Sequence, residues 1–212
     1  TKVYMKKNFG KKAVALVLSL ALPTFMAVAD QAEALQKKLA RLSSFQASFD
    51  QTVVDASNKL IQQGEGMLSL KQPSLFRFET QTPEPNLFIG DGKTLWFYAE
   101  LLDQVSIYDA KEQVQKTPFV LLTSHDPKLW AQYSVTGADE QFDITPKDPG
   151  NAVKKLSLRF AGLALSKMIV IDSNGQNSTF DFNLVQYNTP LASELFQFTI
   201  PATAEVDDQR VK

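Results

Sequence analysis

The chain has 212 residues, of which 44% are hydrophobic, 22 are basic, 23 are acidic and none is cysteine. The absence of cysteine excludes a disulfide framework, and it excludes the N-terminal lipid anchor of bacterial lipoproteins, which is built on a cysteine directly after the signal. A chain of this length can bury a sizeable apolar core, so its stability is expected to come from that core.

The first thirty residues follow the pattern of a cleaved secretory signal. Lysines follow Met5, the ten-residue apolar region Ala13–Leu22 is interrupted only by Ser19, and small residues stand directly before Asp30. Ten helical residues cover about 15 Å, half of the ~30 Å hydrocarbon core, so the apolar run is too short for a membrane anchor. We expect cleavage just before Asp30, with residues 1–29 as an N-terminal extension and signal and residues 30–212 as a single domain.

Removal of the signal would make the chain acidic. Five of the 22 basic residues, all lysines, precede Asp30, which leaves 17 basic against 23 acidic side chains, a net charge of −6. A net negative protein without a basic cluster is repelled by polyanions. We therefore expect neither nucleic acid nor an anionic membrane surface as a partner.

The apolar pattern changes from helical to strand spacing after Leu42. Apolar residues recur every three or four positions over Asp30–Leu42, which predicts a helix. Alternating runs bounded by Gly, Pro, Asn or Asp then predict strands. A helical insertion at Thr117–Gln132 interrupts them, with Asp126 as an N-cap and Pro127 at the first helical position. The predicted strands are Phe45–Asp50, Gly66–Leu70, Leu75–Glu79, Asn86–Ile89, Thr94–Tyr98, Gln104–Tyr108, Tyr133–Val135, Gln141–Thr145, Lys155–Phe160, Ser166–Asp172, Ser178–Gln186 and Glu194–Thr199.

These strands in meander order predict a mostly β protein with a few helices, an α+β fold. An antiparallel sheet this large tends to curl or close. Two runs, Leu75–Phe78 and Leu95–Tyr98, are apolar on both faces, whereas a sheet with one solvated face should alternate cleanly. Such strands need cover on both sides or a second apolar cavity. Alternation alone leaves open a sandwich-like core and a ligand cavity.

Motifs for catalysis and metal binding are missing from the sequence. His125 is the single histidine, so metal ligation would fall to carboxylates, and no run resembles a calcium loop. Gly90–Thr94 ends in Gly-Lys-Thr but lacks the earlier glycine of a phosphate-binding loop, and it predicts a hairpin turn instead. No Gly-x-Ser-x-Gly elbow is present. We expect no enzyme activity, no metal and no cofactor.

Several segments resemble the periplasmic outer-membrane lipoprotein carrier family, LolA. The most specific segment is Asp91–Tyr98, Asp-Gly-Lys-Thr-Leu-Trp-Phe-Tyr, and it follows a second one, Lys71–Phe78. The resemblance is collinear and covers essentially the whole chain after the signal. Further matching segments are Leu42–Phe49, Thr117–Phe119, Trp130–Tyr133, Thr145–Lys147 and Val206–Arg210.

The resemblance implies a half-open antiparallel β-barrel of about eleven strands, covered by a lid of short helices over an apolar concave face. It implies a monomeric carrier in the periplasm of a Gram-negative bacterium. The carrier would take lipoproteins from an inner-membrane ATP-driven releasing transporter (LolCDE-like) and deliver them to an outer-membrane receptor (LolB-like). A buried methylene is worth ~0.8 kcal/mol, so an acyl chain cannot cross water unshielded.

The apolar strands beside the family motif supply the candidates for contact with acyl chains. A one-residue shift of register would move every one of them to the other face of the sheet. The candidates are Phe49, Leu68, Leu70, Phe76, Phe78 and Trp96.

One position departs from the family pattern. The resemblance implies an arginine before the proline of Lys71–Phe78, where it helps to hold the lid closed through hydrogen bonds to the lid backbone; here that residue is Gln72. An amide can still donate, and Lys71 or Arg77 could substitute for it. All three residues are candidates for this lid latch.

The alternative function is a periplasmic lipoprotein- or lipid-sensing module of the same fold, and a periplasmic hydrolase is a more distant alternative.

Overall fold

The computed structural model describes residues 27–110 and 119–210. The predicted signal peptide lies outside the described residues except for its last three positions, which begin a helix. In the part of the chain that is described, no helix has both the length and the apolar character needed to span a bilayer. The described helices are α1 (Ala27–Ala40), α2 (Phe119–Thr123) and α3 (Pro127–Trp130).

Twelve strands in the described residues form one open sheet. Their order across the sheet is β12-β6-β5-β4-β3-β2-β1-β11-β10-β9-β8-β7, and every neighbouring pair is antiparallel except β12 and β6. The strands are β1 (Ser44–Val54), β2 (Leu60–Lys71), β3 (Leu75–Thr82), β4 (Asn86–Gly90), β5 (Thr94–Ala99), β6 (Gln104–Asp109), β7 (Tyr133–Ala138), β8 (Gln141–Pro146), β9 (Val153–Ala161), β10 (Ala164–Asp172), β11 (Asn177–Tyr187) and β12 (Glu205–Asp208). Two meanders, β1 to β6 and β7 to β11, therefore meet where β1 pairs with β11.

The contacts of the helices show that the sheet is curled. Helix α1 packs on edge strand β7 and on α2, while α2 packs on β2 and β3. In a flat sheet β7 and β3 would lie seven strand spacings apart, roughly 34 Å. Two helices side by side cover only about 20 Å. The sheet must bend toward the helices for both contacts to form, which confirms the expected half-open barrel with a helical cover. We call α1, α2 and α3 together the lid.

The short helix α3 begins as the sequence predicts. The Asp126 carboxylate accepts a hydrogen bond from the Lys128 backbone N–H at 2.9 Å, and Pro127 occupies the first helical position. The Trp130 indole N–H donates to the Ser124 carbonyl at 3.0 Å, which fixes the turn between α2 and α3. Both helices are thus held by local bonds as well as by burial of their apolar side chains.

The segment after β11 is not the strand predicted at Glu194–Thr199. Residues 188–204, which we call the C-terminal strap, contain a 3-10 turn at Ser193–Phe196 and no strand. Phe196 and Phe198 alternate as strand residues would, but they pack on the face of the sheet instead of pairing with a strand. The last strand is β12, which lies parallel to β6.

Candidate functional site

Five of the six predicted acyl contacts belong to one apolar cluster beneath the lid. In the register of β1, β2 and β3, Leu68 lies opposite Phe78 and Leu70 lies opposite Phe76. The rings of Phe49 and Phe78 stack with their centroids 4.9 Å apart and their planes inclined by 5°. All five side chains are buried, with 6% exposure or less, and they lie in the cluster under the lid; their contact with acyl chains stays a prediction.

The sixth candidate, Trp96, lies on the opposite face of the sheet. Side chains alternate along β5, so Leu95 joins the cluster under the lid while Trp96 points away from it. Its ring lies 6.4 Å from that of Phe198 in the C-terminal strap, and Tyr98 lies 5.9 Å from the same ring. The structure does not bring Trp96 together with the other five candidates.

The strap explains why several strands are apolar on both faces. Ile89 and Ile107 are paired with Trp96 on either side, and both are buried on the strap side of the sheet. The half of the sheet formed by β3 to β6 therefore lies between two apolar layers, one under the lid and one under the strap. Cover on both sides, which the sequence left as one alternative, is present in this half, and a cavity is present as well.

A cavity of about 290 Å³ lies between the lid and the sheet. Its apolar wall includes Phe76 from β3, Ala110 at the end of β6, and Val120 and Leu129 from the lid. A second cavity of about 410 Å³ borders Phe78 at the other end of the same cluster. Phe76 and Phe78, which belong to the same apolar cluster, thus each border one cavity.

Two bonds from one loop hold the lid. The side-chain amide of Gln72 donates to the Leu122 carbonyl at 3.3 Å, and the Ser74 backbone N–H donates to the Thr123 carbonyl at 3.1 Å. Both acceptors lie at the C-terminal end of α2, where backbone carbonyls lack helical partners. Among the described residues, the Gln72 Oε1 atom and the Thr123 Oγ1 atom are buried without a hydrogen-bond partner.

The two other latch candidates are bound elsewhere in the structure. The Lys71 ammonium donates to the Leu191 carbonyl of the strap at 2.8 Å. The Arg77 guanidinium pairs with the Glu79 carboxylate at 2.9 Å, on the face of the sheet away from the lid. Of the three candidates, Gln72 is the one whose side chain bonds to the lid.

A comparison with known proteins identifies the family of this chain. The family model described as "Outer membrane lipoprotein carrier protein LolA" matches residues 40–199. The outer-membrane lipoprotein carrier protein of Pseudoalteromonas translucida is 40% identical over 206 residues, covering 94% of this chain and 98% of the relative. The chain belongs to the outer-membrane lipoprotein carrier family. The carrier protein of Haemophilus influenzae (strain Rd) is also 40% identical, over 98% of this chain and its own full length.

Solved structures of low identity support the fold of this family member. A LolA superfamily protein from Nitrosomonas europaea superposes with a TM-score of 0.50 at 12% identity, covering 79% of this chain and 98% of that structure. A conserved protein from Thermus thermophilus gives a TM-score of 0.51 at 14% identity, covering 84% and 99%. Both likenesses concern the architecture alone.

Sequence reasoning missed part of the apolar cluster of this carrier-family chain. Phe180 of β11 stands edge-on to Phe49 and Phe78, with ring centroids 5.3 and 5.6 Å away, and Phe182 lies 6.5 Å from Phe49. The alternation within the predicted strand Ser178–Gln186 marked both phenylalanines as one face. Only the pairing of β1 with β11 places that face beside Phe49, and this long-range pairing has no local signal.

Polar chemistry is sparse around the cluster. No group of three or more histidine, cysteine, aspartate or glutamate side chains that could hold a metal ion occurs in residues 27–110 and 119–210. His125 is exposed beside the N-cap of α3. Burial raises the pKa of the Tyr133 phenol above its ordinary value of 10.0, although a hydrogen bond with Asn151 partly opposes this shift. The cluster itself is formed by apolar side chains, so it is suited to contact with an apolar group.

Proposed function

We propose that this protein carries lipoproteins through the periplasm by enclosing their acyl chains between the lid and the sheet. Membership of the carrier family is the observation that carries the proposal. The cluster under the lid is apolar, and Phe76, Val120 and Leu129 form the apolar part of the wall of the adjoining cavity of about 290 Å³. The family description is that of a carrier, which agrees with the expectation that the chain is not an enzyme.

The acyl-contact residues in this proposal are the five that lie under the lid. Phe49, Leu68, Leu70, Phe76 and Phe78 belong to one apolar cluster, which borders the first cavity at Phe76 and the second at Phe78. Lifting of the lid would turn this cluster into a binding surface. Each acyl methylene transferred from water to this surface gains ~0.8 kcal/mol. Because the same surface is closed when the lid packs on it, cargo and lid compete for it. This competition would let the carrier bind acyl chains without holding them irreversibly.

The partners that we propose lie at the two ends of the transport path. An inner-membrane ATP-driven transporter of the LolCDE type would supply the cargo, because extracting an acylated protein from a bilayer is uphill. An outer-membrane receptor of the LolB type would accept it. Cleavage of the proposed signal before Asp30 during export would release the mature chain into the periplasm. We propose that it works as a monomer.

The proposal is tested by replacing the carrier of a Gram-negative host with this chain. Under depletion of the host protein, outer-membrane lipoproteins should remain at the outer membrane when this chain is expressed. Purification from the periplasm followed by mass spectrometry should recover it with acylated lipoproteins. Lipoproteins stranded in the inner membrane despite a soluble, folded chain would reject the carrier function, and binding without restored sorting would favour the sensing module.

A further inference from the structure

Two glycines of the lid-facing surface lie directly beneath aromatic rings. In the sheet register Gly90 of β4 stands opposite Phe76, and Gly66 of β2 stands opposite Phe49. A Cβ atom on Gly90 would lie 2.2 Å from Cε1 and 2.7 Å from Cδ1 of Phe76, and one on Gly66 would lie 2.5 Å from Cζ of Phe49. These separations are too short for real contacts. At both positions the ring occupies the space that a side chain in place of the glycine hydrogen would need.

Glycine is needed at position 90 because of the Phe76 ring, and not because of the backbone conformation. Its φ angle lies outside the left-handed region that favours glycine, whereas the nearby turn residue Gly92 has a φ of +88°. Gly90 ends β4 in regular antiparallel pairing with Phe76 and Leu95. An alanine at this position could adopt the same backbone, and its conflict would be with the ring. At Gly66, by contrast, a Cβ atom would also collide with the Glu79 carbonyl oxygen at 2.0 Å.

The position of the Phe76 ring determines how much space remains under the lid. Phe76 forms part of the wall of the lid-side cavity of about 290 Å³, together with Gly92 and Ala110. Because nothing projects from Gly90, the ring can lie against β4 instead of standing in the cavity. A methyl group at residue 90 would push the ring away from the sheet, and the open direction is toward the cavity, since Leu68 and Leu70 fill the space along the sheet.

We propose that Gly90 is a specificity-determining residue that sets the depth of the cavity, and with it the length of aliphatic chain that the cavity accepts. This inference rests on the proposed carrier function and assigns a determinant to the same site. Gly90 itself touches no cargo and acts by positioning Phe76.

The test measures binding of synthetic lipopeptides with a single acyl chain of roughly 8 to 18 carbons to the parent chain and to Gly90→Ala. In the parent, each methylene that enters the cavity should tighten binding about fourfold until the cavity is full. In Gly90→Ala the gain in affinity per methylene should stop at a shorter acyl chain. The longest lipopeptide should therefore bind about tenfold more weakly than to the parent, and the shortest should bind with an affinity within about twofold of the parent value. The double variant Gly90→Ala/Phe76→Leu should regain affinity for lipopeptides with the longer acyl chains. Gly150→Ala is the control, because its Cβ atom would meet only the Asp148 carboxylate at 3.2 Å.

Three results would overturn the inference. The first is an unchanged length profile in folded Gly90→Ala. The second is uniform weakening for all lengths, which indicates general destabilisation. The third applies if Gly90→Ala does not fold: the double variant should then fold and match Phe76→Leu alone, and its failure would show that the conflict is not with Phe76. If the parent binds no lipopeptide of any length, the proposed function itself fails, which is a separate outcome.

Discussion

The side-chain amide of Gln72 reaches across from the β2–β3 loop and donates to the backbone carbonyl of Leu122 in the lid, at 3.3 Å. The preceding residue, Lys71, donates to the Leu191 carbonyl of the C-terminal strap on the other side of the sheet. The end of β2 and the loop after it therefore bind both covers of the sheet. Lifting of the lid would break the Gln72 bond together with the bond from Ser74 to Thr123, and would leave the Lys71 bond in place.

Replacing Gln72 with arginine should hold the lid more firmly. A charged donor makes a stronger hydrogen bond than an amide, by about 1–2 kcal/mol, which corresponds to a shift of roughly 5- to 30-fold toward the closed lid. Because the closed lid competes with acyl chains, Gln72→Arg should retain lipoprotein less tightly and pass it to the receptor faster. Transfer rates measured with purified receptor test this.

The matched control for this variant is Arg77→Gln. Arg77 pairs with Glu79 on the face away from the lid, so its loss should leave the transfer rate unchanged. Equal rates for the parent and Gln72→Arg would remove position 72 from control of the lid.

The sequence predicted the strands well because most of them have one buried face. Alternation at Phe45–Asp50 and at Gly66–Leu70 marked one face of each strand, and the structure places that face in the cluster under the lid. It could not orient β5, where Leu95 and Trp96 are both apolar, since period-two spacing does not say which face meets the lid. Trp96 packs against the C-terminal strap, and no local sequence pattern predicts that the strap lies beside β5.

The C-terminal strap and β12 show that alternating burial of side chains and backbone pairing in a sheet are separate properties. Phe196 is buried and Phe198 is half-buried, while Gln197 and Thr199 are exposed, so the pattern reports alternating burial. It did not show whether the backbone pairs with a strand, and here Phe198 packs on Trp96 and Tyr98 instead. The reverse holds for β12, Glu205–Asp208, which pairs with β6 through its backbone although its side chains carry almost no apolar signal.

Phe76→Glu should abolish cargo binding. Phe76 is 2% exposed and borders the lid-side cavity, so a carboxylate there would be desolvated at a cost of about 3 kcal/mol or more. A folded variant should relieve that cost by holding the cavity open to water, and acyl chains would then meet a charged wall. Co-purification of lipoprotein measures the loss. Phe76→Leu keeps an apolar side chain and should still bind; unchanged binding and transfer by folded Phe76→Glu would rule Phe76 out as an acyl contact.

Phe198→Ala should reduce stability without changing the cargo site. Phe198 packs on Trp96 and Tyr98 under the strap, on the face away from the lid. Its partial burial predicts a loss of about 1–2 kcal/mol in the free energy of unfolding, measured by urea denaturation. Lipopeptide affinity of the folded protein should stay at the parent value. Leu184→Ala, at a side chain that is 86% exposed, should change neither quantity. Weaker lipopeptide binding by folded Phe198→Ala would show that the strap contributes to the cargo site.

Tyr133 should make the fold sensitive to alkaline pH. Burial raises the pKa of its phenol above the ordinary value of 10.0, so the folded state favours the neutral form. A group whose pKa is higher in the folded than in the unfolded state contributes stability that is complete below pH 10 and is lost as pH rises through the folded pKa. The urea midpoint should therefore fall less between pH 8 and pH ~11 in Tyr133→Phe than in the parent. The control is Tyr187→Phe, because Tyr187 is 44% exposed; its urea midpoint should fall by as much as that of the parent. An equal fall in Tyr133→Phe and in the parent would show that ionisation of Tyr133 does not contribute to the alkaline loss of stability.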